Sequence, residues 1–358
     1  MTLEEREESR AETGGSGVVK VRVKAPSRLH FSLIDLNGSL GRVDGGIGVA
    51  LNKPYSEIEI ESVGEKQVPP PSPSPEVEQI SERLKKLGLK RHYSVRILRR
   101  LPSHVGLGSK TQLALSIARG VAVLEGLDVS TRELARIVRR GGTSGIGVAA
   151  FEKGGFILDG GHKFAHSGAR MESASDESVK TSFLPSSASR VPPPPVLFQH
   201  PLPEDWFFVL ATPEVRRGAH GAEEVEIFQK YCPIRGDEVA EICRIILMRI
   251  LPAVLERDIE TFASSLTMLQ HLGFKRLEVA LQHKIVRELF AFYEKHEALG
   301  YGMSSFGPTT FAVVQGRSEA EKLAEAVKGF LEEKGIRGAV CFSNANNLGA
   351  EVRVQKEH

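Results

Sequence analysis

Between a strand-like run at 92–98 and an apolar helical run at 112–124 stands Leu101-Pro102-Ser103-His104-Val105-Gly106-Leu107-Gly108-Ser109-Lys110-Thr111-Gln112. A strand, a glycine loop and a helix in immediate succession leave few architectures open. Gly106 and Gly108 permit backbone conformations closed to residues with a side chain, so their amides can approach an anion closely. Ser109 and Thr111 stand where the helix begins, and hydroxyls and free N–H groups converge there. The helix terminus adds partial positive charge, and Lys110 adds a full one. Gly106, Gly108, Ser109, Lys110 and Thr111 therefore form a candidate phosphate or diphosphate cradle, with a plain tight turn as the alternative. The spacing matches neither a Walker A loop nor a dinucleotide-binding fingerprint.

The rest of the chain supplies two domains' worth of pattern around this loop. Its 358 residues carry a formal net charge of +2, which offers no bulk attraction to nucleic acid or to a membrane surface. No apolar run is long enough to span a bilayer. Cys232, Cys243 and Cys341 are scattered, with neither metal-ligand spacing nor a disulfide framework, which fits a reducing, cytoplasmic setting. Residues 1–17 are acidic, polar and then glycine-rich, and read as a disordered leader. Alternation marks strands at 18–23 and up to Ile60. A proline-rich linker covers 67–75, and a helical run follows at 76–87. Helices are expected near 131–139, 237–255, 259–269, 282–297 and 318–334. Further strands are expected at 154–158, 206–211, 310–315 and 338–342. The Ser/Pro-rich stretch at 167–203, with Pro192-Pro193-Pro194-Pro195, reads as an irregular insertion. The expected domains are 18–165, carrying the loop, and 205–358, separated by an insertion at 166–204.

Four segments in order carry a resemblance. Pro102 to Ser109 resembles the phosphate loop of the GHMP small-molecule kinases. Lys24-Ala25-Pro26-Ser27-Arg28-Leu29-His30-Phe31 resembles their opening segment, Gly142-Thr143-Ser144-Gly145-Ile146-Gly147 their Ser-Gly-Ile/Val-Asp segment, and Gly300 to Pro308 their late glycine-rich segment. The resemblance implies an α+β, GHMP-kinase-like two-domain fold. A cleft would separate an N-terminal α/β domain from a C-terminal ferredoxin-like sandwich. Two positions depart from kinase chemistry. Gly147 stands where the kinases carry an aspartate, and Lys110 stands where they carry a second serine. Phosphoryl transfer rests on positioning and on electrostatics around a metal, so losing both groups argues against an ordinary ATP-dependent kinase.

A narrower likeness fits better. Ser27 to Gly38, Gly41-Arg42-Val43-Asp44-Gly45-Gly46, Gly106 to Ala114 around Lys110, Arg216-Arg217-Gly218 and Ser304-Ser305-Phe306-Gly307-Pro308-Thr309 resemble the β-ribofuranosylaminobenzene 5′-phosphate synthase family of the archaeal methanopterin pathway. Lys110 stands where that family carries a small residue. The resemblance implies condensation of phosphoribosyl pyrophosphate with 4-aminobenzoate or 4-hydroxybenzoate, releasing CO2 and pyrophosphate. It also implies Mg2+, no organic cofactor, small-molecule substrates and a homodimer.

Such a site needs cations for a leaving diphosphate, acids for a metal or a sugar cation, and a pocket for a flat ring. The candidate acids and metal ligands are Asp35 and Asp44, each equally a turn residue bonding its own backbone. Arg28 and His30 share one face of an alternating strand. Arg28 is a candidate phosphate clamp and His30 a candidate catalytic donor; a solvated Arg and a core His are the alternatives. Arg42, Arg216, Arg217, His220, Ser304 and Ser305 are second-tier substrate contacts. Asp44→Asn is expected to slow turnover and leave the fold intact. Two rivals stay open: an ATP-dependent kinase of a small alcohol, and a non-catalytic ligand-binding homologue.

Overall fold

The computed structural model describes residues 19–63, 72, 74–85, 89, 92–165, 178–185, 188–215, 219 and 221–356. The leader at 1–17, most of the proline-rich linker, and Arg216, Arg217 and His220 lie outside the described residues.

The first sheet is built on two long strands. β1 (Val19–Asp35) pairs antiparallel with β2 (Arg42–Val63), in register from Lys20↔Glu61 to Asp35↔Asp44. Buried positions along β1 include Val21, Val23, Ala25, Leu29 and Phe31, whereas Lys24 is exposed. Both strands run further than alternation alone marks. Arg42–Gly46, expected as a glycine loop, is strand, because β2 is hydrogen-bonded there on both sides. Gly46 pairs with Leu33 of β1 and with Asp159 of β4 (Phe156–Asp159). Pairing across a sheet overrides glycine's weak strand propensity.

β3 (His92–Arg99) joins β2. The Ser/Pro-rich stretch contributes more than irregular chain: β6 (Val179–Lys180) follows β5 (His162–Phe164) in parallel, and β7 (Val196–His200) pairs with β4. The proline run feeds β7 in, with Pro195 O accepting from Gly160 N at 2.8 Å. The chain's last strand, β12 (Glu351–Lys356), returns to β1.

Helices α1 (Pro75–Leu84), α2 (Ser109–Leu124), α3 (Thr131–Ile137) and α4 (Ile146–Glu152) complete this half. α2 buries Leu113, Ile117 and Val121 against Val23, Ile58 and Ile60 of the sheet. Its start at Ser109, three residues before the apolar run, brings the loop hydroxyls into the first turn.

The second half is a four-stranded sheet ordered β11-β8-β10-β9, from β8 (Trp206–Pro213), β9 (Gly300–Met303), β10 (Thr310–Gln315) and β11 (Gly338–Asn344). It is covered by α5 (Ala222–Tyr231), α6 (Gly236–Ile245), α7 (Leu251–Glu256), α8 (Ile259–Leu269), α9 (Gly273–Ala280), α10 (Lys284–Lys295) and α11 (Arg317–Glu333). The single helix expected at 237–255 is interrupted by a π segment at Ile246–Ile250, just ahead of Pro252, which lacks the N–H a regular turn would use.

The two halves share one core. Phe31 of β1 stacks on Phe208 of β8 at 6.2 Å and meets Phe311 of β10 at 5.1 Å. Leu29, Ile47, Phe156, Trp206 and Phe262 belong to the same buried cluster. That continuous apolar joint fixes the relative placement of the loop and the late serines.

Candidate active site

The phosphate loop, β1 and the turn after β9 are tied into one knot. Gly106 O accepts from Arg28 Nη1 at 2.5 Å and from Ser304 Oγ at 2.6 Å. His30 N donates to Ser304 Oγ at 2.9 Å, and His30 O accepts from Ser305 N at 3.0 Å. Thr309 N donates to Val105 O at 3.2 Å. Gly106 sits at φ +90, and a Cβ there would stand 2.2 Å from Ser304 O. Glycine is required at this crossing by backbone approach as well as by dihedral angle.

Above the knot lies a cleft of about 190 Å3, lined in part by Arg28, Gly106, Gly108, Ser109, Lys110, Thr111, Arg140 and Ser305. Gly108, at φ +80, occupies the N-cap position of α2, and no side chain caps that terminus. The terminus thus presents main-chain N–H groups and the positive end of a 16-residue helix to the cleft. Arg28, Lys110 and Arg140 add three cations. Burial lowers the Arg28 guanidinium to about 10, partly offset by Glu278, so it stays charged at neutral pH.

A second layer supports Arg28 from below. Lys275 of α9 is buried, donates to Met303 O at 3.3 Å and to Ser305 O at 3.1 Å, and pairs with buried Glu278. It pins the Ser304–Gly307 turn from inside. Burial pushes the Lys275 ammonium down and the Glu278 carboxyl up, each opposed by the other's charge. His30 lies in the same field. Burial first, then the charges of Arg28 and Lys275, hold it well below the usual imidazole range, so it is neutral. Neither of its ring nitrogens has a hydrogen-bond partner among the described residues.

The two acids named from sequence are held elsewhere. Asp35 Oδ1 accepts from Asn37 N at 2.7 Å and Gly38 N at 3.1 Å, the Asx-turn alternative. Asp44 is 1% exposed, at φ 68. It receives Lys180 Nζ at 2.8 and 3.1 Å and His162 Nδ1 at 2.6 Å. Neither carboxylate lines the cleft, and no group of three or more metal-binding side chains occurs among the described residues. The carboxylates therefore do not fit a protein-held Mg2+. Arg42 turns away as well, donating Nε to Gly160 O at 2.5 Å and Nη2 to Gly161 O at 3.0 Å.

Sequence reasoning missed Arg140, Asp159, His162, Lys180, Lys275 and Glu278. Arg140 had a signal, the Arg139-Arg140-Gly141-Gly142 run, and Lys275 and Glu278 stand three apart on one helix. Lys180 had none, being embedded in the Ser/Pro-rich stretch.

Asp159, fully buried at the end of β4, accepts from Gly145 N at 2.9 Å and Gly161 N at 3.0 Å. Burial raises its carboxyl from 3.8 to about 7; the two amide bonds pull it down and Asp44 pushes it up. A carboxyl raised on folding contributes stability that is full below about pH 4 and is lost as pH rises through about 7, on the order of 4 kcal/mol. Asp159→Asn is expected to flatten the decline in unfolding free energy between pH 5 and 7, whatever its constant offset. Denaturant titrations across that range check it; an unchanged slope would show that Asp159 does not titrate there.

Gly147, where the kinases carry an aspartate, packs against the loop. A Cβ at this position would stand 3.1 Å from Thr111 Cγ2, so the loop threonine's methyl occupies the space beside it. The three atoms nearest to that position all belong to Thr111. The cleft keeps the main-chain N–H groups and cations of a candidate anion cradle, with Glu224 as the carboxylate among its described lining residues.

The GHMP kinases N terminal domain model matches residues 77–155, and the GHMP kinases C terminal model matches 250–333. A β-ribofuranosylphenol 5′-phosphate synthase of Methanothermobacter thermautotrophicus is 41% identical over 93% of this chain and 98% of its own length. One from Archaeoglobus fulgidus is 39% identical over 93% of this chain and 100% of its own. The chain belongs to this synthase family.

The fold is that of the GHMP kinases. Homoserine kinase from Cytophaga hutchinsonii superposes with a TM-score of 0.63 at 16% identity, covering 93% of this chain and 97% of its own. Mevalonate diphosphate decarboxylase from Staphylococcus aureus gives 0.59 at 11%, covering 94% and 98%. The chain thus shares the kinase scaffold. The relatives' names specify a phenol product, where the sequence resemblance was to the aminobenzene form.

Proposed function

We propose that this chain condenses phosphoribosyl pyrophosphate with 4-hydroxybenzoate to a ribofuranosylphenol 5′-phosphate, releasing CO2 and pyrophosphate. The observation that carries the reading is a cation-lined cleft, built on helix α2's N-terminus, with Thr111 beside Gly147 where a kinase would need its base.

In this reading the bond from sugar C1 to the diphosphate oxygen breaks, and the loop amides with Arg28 and Lys110 receive the growing negative charge. The ring carbon bearing the carboxylate attacks C1, its electron density supplied by the para oxygen, and a carbon–carbon bond forms. The bond to the carboxylate then breaks, CO2 leaves, and its electron pair restores the aromatic ring. Stabilising the leaving group does most of the work. With Asp35 and Asp44 engaged in other contacts, stabilisation of the leaving diphosphate falls to the cleft's amides and cations, and any Mg2+ would travel with the diphosphate. The phenol in the relatives' names favours 4-hydroxybenzoate over 4-aminobenzoate as acceptor. A homodimer working in methanopterin assembly in the cytoplasm belongs to the same proposal. No helix among the described residues is long and apolar enough to cross a membrane.

The test is release of labelled CO2 from carboxyl-labelled 4-hydroxybenzoate and phosphoribosyl pyrophosphate, without ATP. CO2 release that depends on the donor is the expected result. ATP-dependent phosphorylation of an alcohol with no CO2 would establish the kinase instead. Ser109→Ala is expected to reduce the rate about 10-fold through one lost contact at the helix terminus; a normal rate would remove Ser109 from the site.

A further inference from the structure

Arg140 is the cation of the cleft that comes from neither the phosphate loop nor β1. It stands in the α3–α4 connection, three residues after α3 ends. The backbone there is set by a helix-terminating turn: Arg140 N donates to Ala135 O at 2.8 Å, and Arg139 adopts φ 57. That left-handed position after a helix is usually glycine's. Keeping Arg139 there sends consecutive arginines to different places. Arg139 lines a separate cavity of about 800 Å3, while Arg140 lines the cleft. Arg140 Nε is buried without a hydrogen-bond partner among the described residues. Arg140 as a whole is half-buried and feels the charges of Glu76 and Arg83, so its buried, unused Nε donor is the part that a ligand would complete.

We propose that Arg140 is the specificity contact for the 5′-phosphate of the phosphoribosyl donor, separate from the loop that takes the diphosphate. This rests on the reading above. The donor carries phosphoryl groups at both ends of a pentose, so one cluster of amides cannot hold both. The loop, the helix terminus and Arg28, which is anchored on Gly106 O, form one anchor. Arg140, projecting from a different element, supplies the second. A guanidinium suits a phosphate monoester, because its paired N–H groups match two phosphate oxygens.

The experiment compares two donors, phosphoribosyl pyrophosphate and ribose 1-diphosphate, which lacks the 5′-phosphate. Arg140→Ala is expected to lower kcat/KM for the phosphorylated donor by about 10- to 100-fold, mostly through KM. With the truncated donor it should change kcat/KM by less than about 3-fold, so the wild-type preference collapses. Arg140→Lys should restore part of that preference. A denaturation midpoint equal to wild type excludes a folding defect, and Arg140→Lys carries the comparison if the alanine variant is unstable. Equal losses with both donors, or an unchanged preference, would overturn the assignment.

Calorimetric titration with ribose 5-phosphate needs no turnover. Wild type should bind it and Arg140→Ala should bind it at least about 10-fold more weakly. Binding of that kind in a protein that makes no product would sink the functional reading and leave the Arg140 contact standing. Turnover with an Arg140-independent preference would do the reverse.

Discussion

Gly106→Ala is expected to lower kcat/KM by at least about 100-fold and the unfolding free energy by about 3 kcal/mol. Two causes add. The residue sits at φ +90, which costs a side-chain-bearing residue about 1–2 kcal/mol. The new Cβ would also stand 2.2 Å from Ser304 O, and backbone cannot yield there without moving the whole turn. Moving it separates Ser304 Oγ and Arg28 Nη1 from Gly106 O, so the anion cradle and its guanidinium lose their common anchor. Activity should therefore fall by more than stability alone explains. Gly126→Ala is the control: φ is +63 but nothing lies within 4 Å, so only the dihedral cost of about 1 kcal/mol is expected, with normal kinetics. Steady-state kinetics with denaturant unfolding of both variants checks the pair. Gly106→Ala within about twofold of wild type would mean the loop does not depend on this crossing.

Lys180→Met is expected to destabilise the protein by about 3–5 kcal/mol, because it strips Asp44 of its cation inside the protein. Lys180 Nζ and Asp44 are both buried, with side chains 2% and 0% exposed, so water cannot replace the lost partner. Lys180 also donates to Leu184 O at 3.1 Å, and His162 holds Pro192 O at 3.0 Å through its second nitrogen. The knot thus ties β2 and β5 to the Ser/Pro-rich stretch. Asp44→Asn, expected from sequence to spare the fold, should on this structure also destabilise it by about 2–4 kcal/mol, since it leaves Lys180 as a buried, unneutralised charge. The double variant Asp44→Asn/Lys180→Met should cost less than the two single losses combined. Denaturant midpoints measure all three. Strict additivity would show that the pair is not coupled.

The sequence by itself determined the glycine loop and the helix that starts behind it, because their chemistry is local. Two glycines, a serine and a threonine before an apolar helical run dictate a helix N-terminus open to anions wherever the chain folds. Most long helices and second-half strands were legible for the same reason: periodicity within one element is a property of neighbours in sequence. Arg28 and Ser305 were also legible as cleft residues, through segments whose order matched a known family.

What tertiary structure alone decided was the fate of each buried charge. Asp44 looked like an acid in a glycine loop, yet strand pairing with β1 draws that loop into the sheet, where Lys180 neutralises it and His162 hydrogen-bonds it. Lys180 lies 136 positions away in a stretch whose composition suggested no structure at all. Arg140 faces the cleft because a helix-ending turn at Arg139 aims it there. Desolvation makes an ion depend on partners within a few ångströms, and those partners come from segments far apart in the chain. Composition and spacing can nominate a charged residue; its protonation, its partner and its access to a ligand arise only when distant segments close around it.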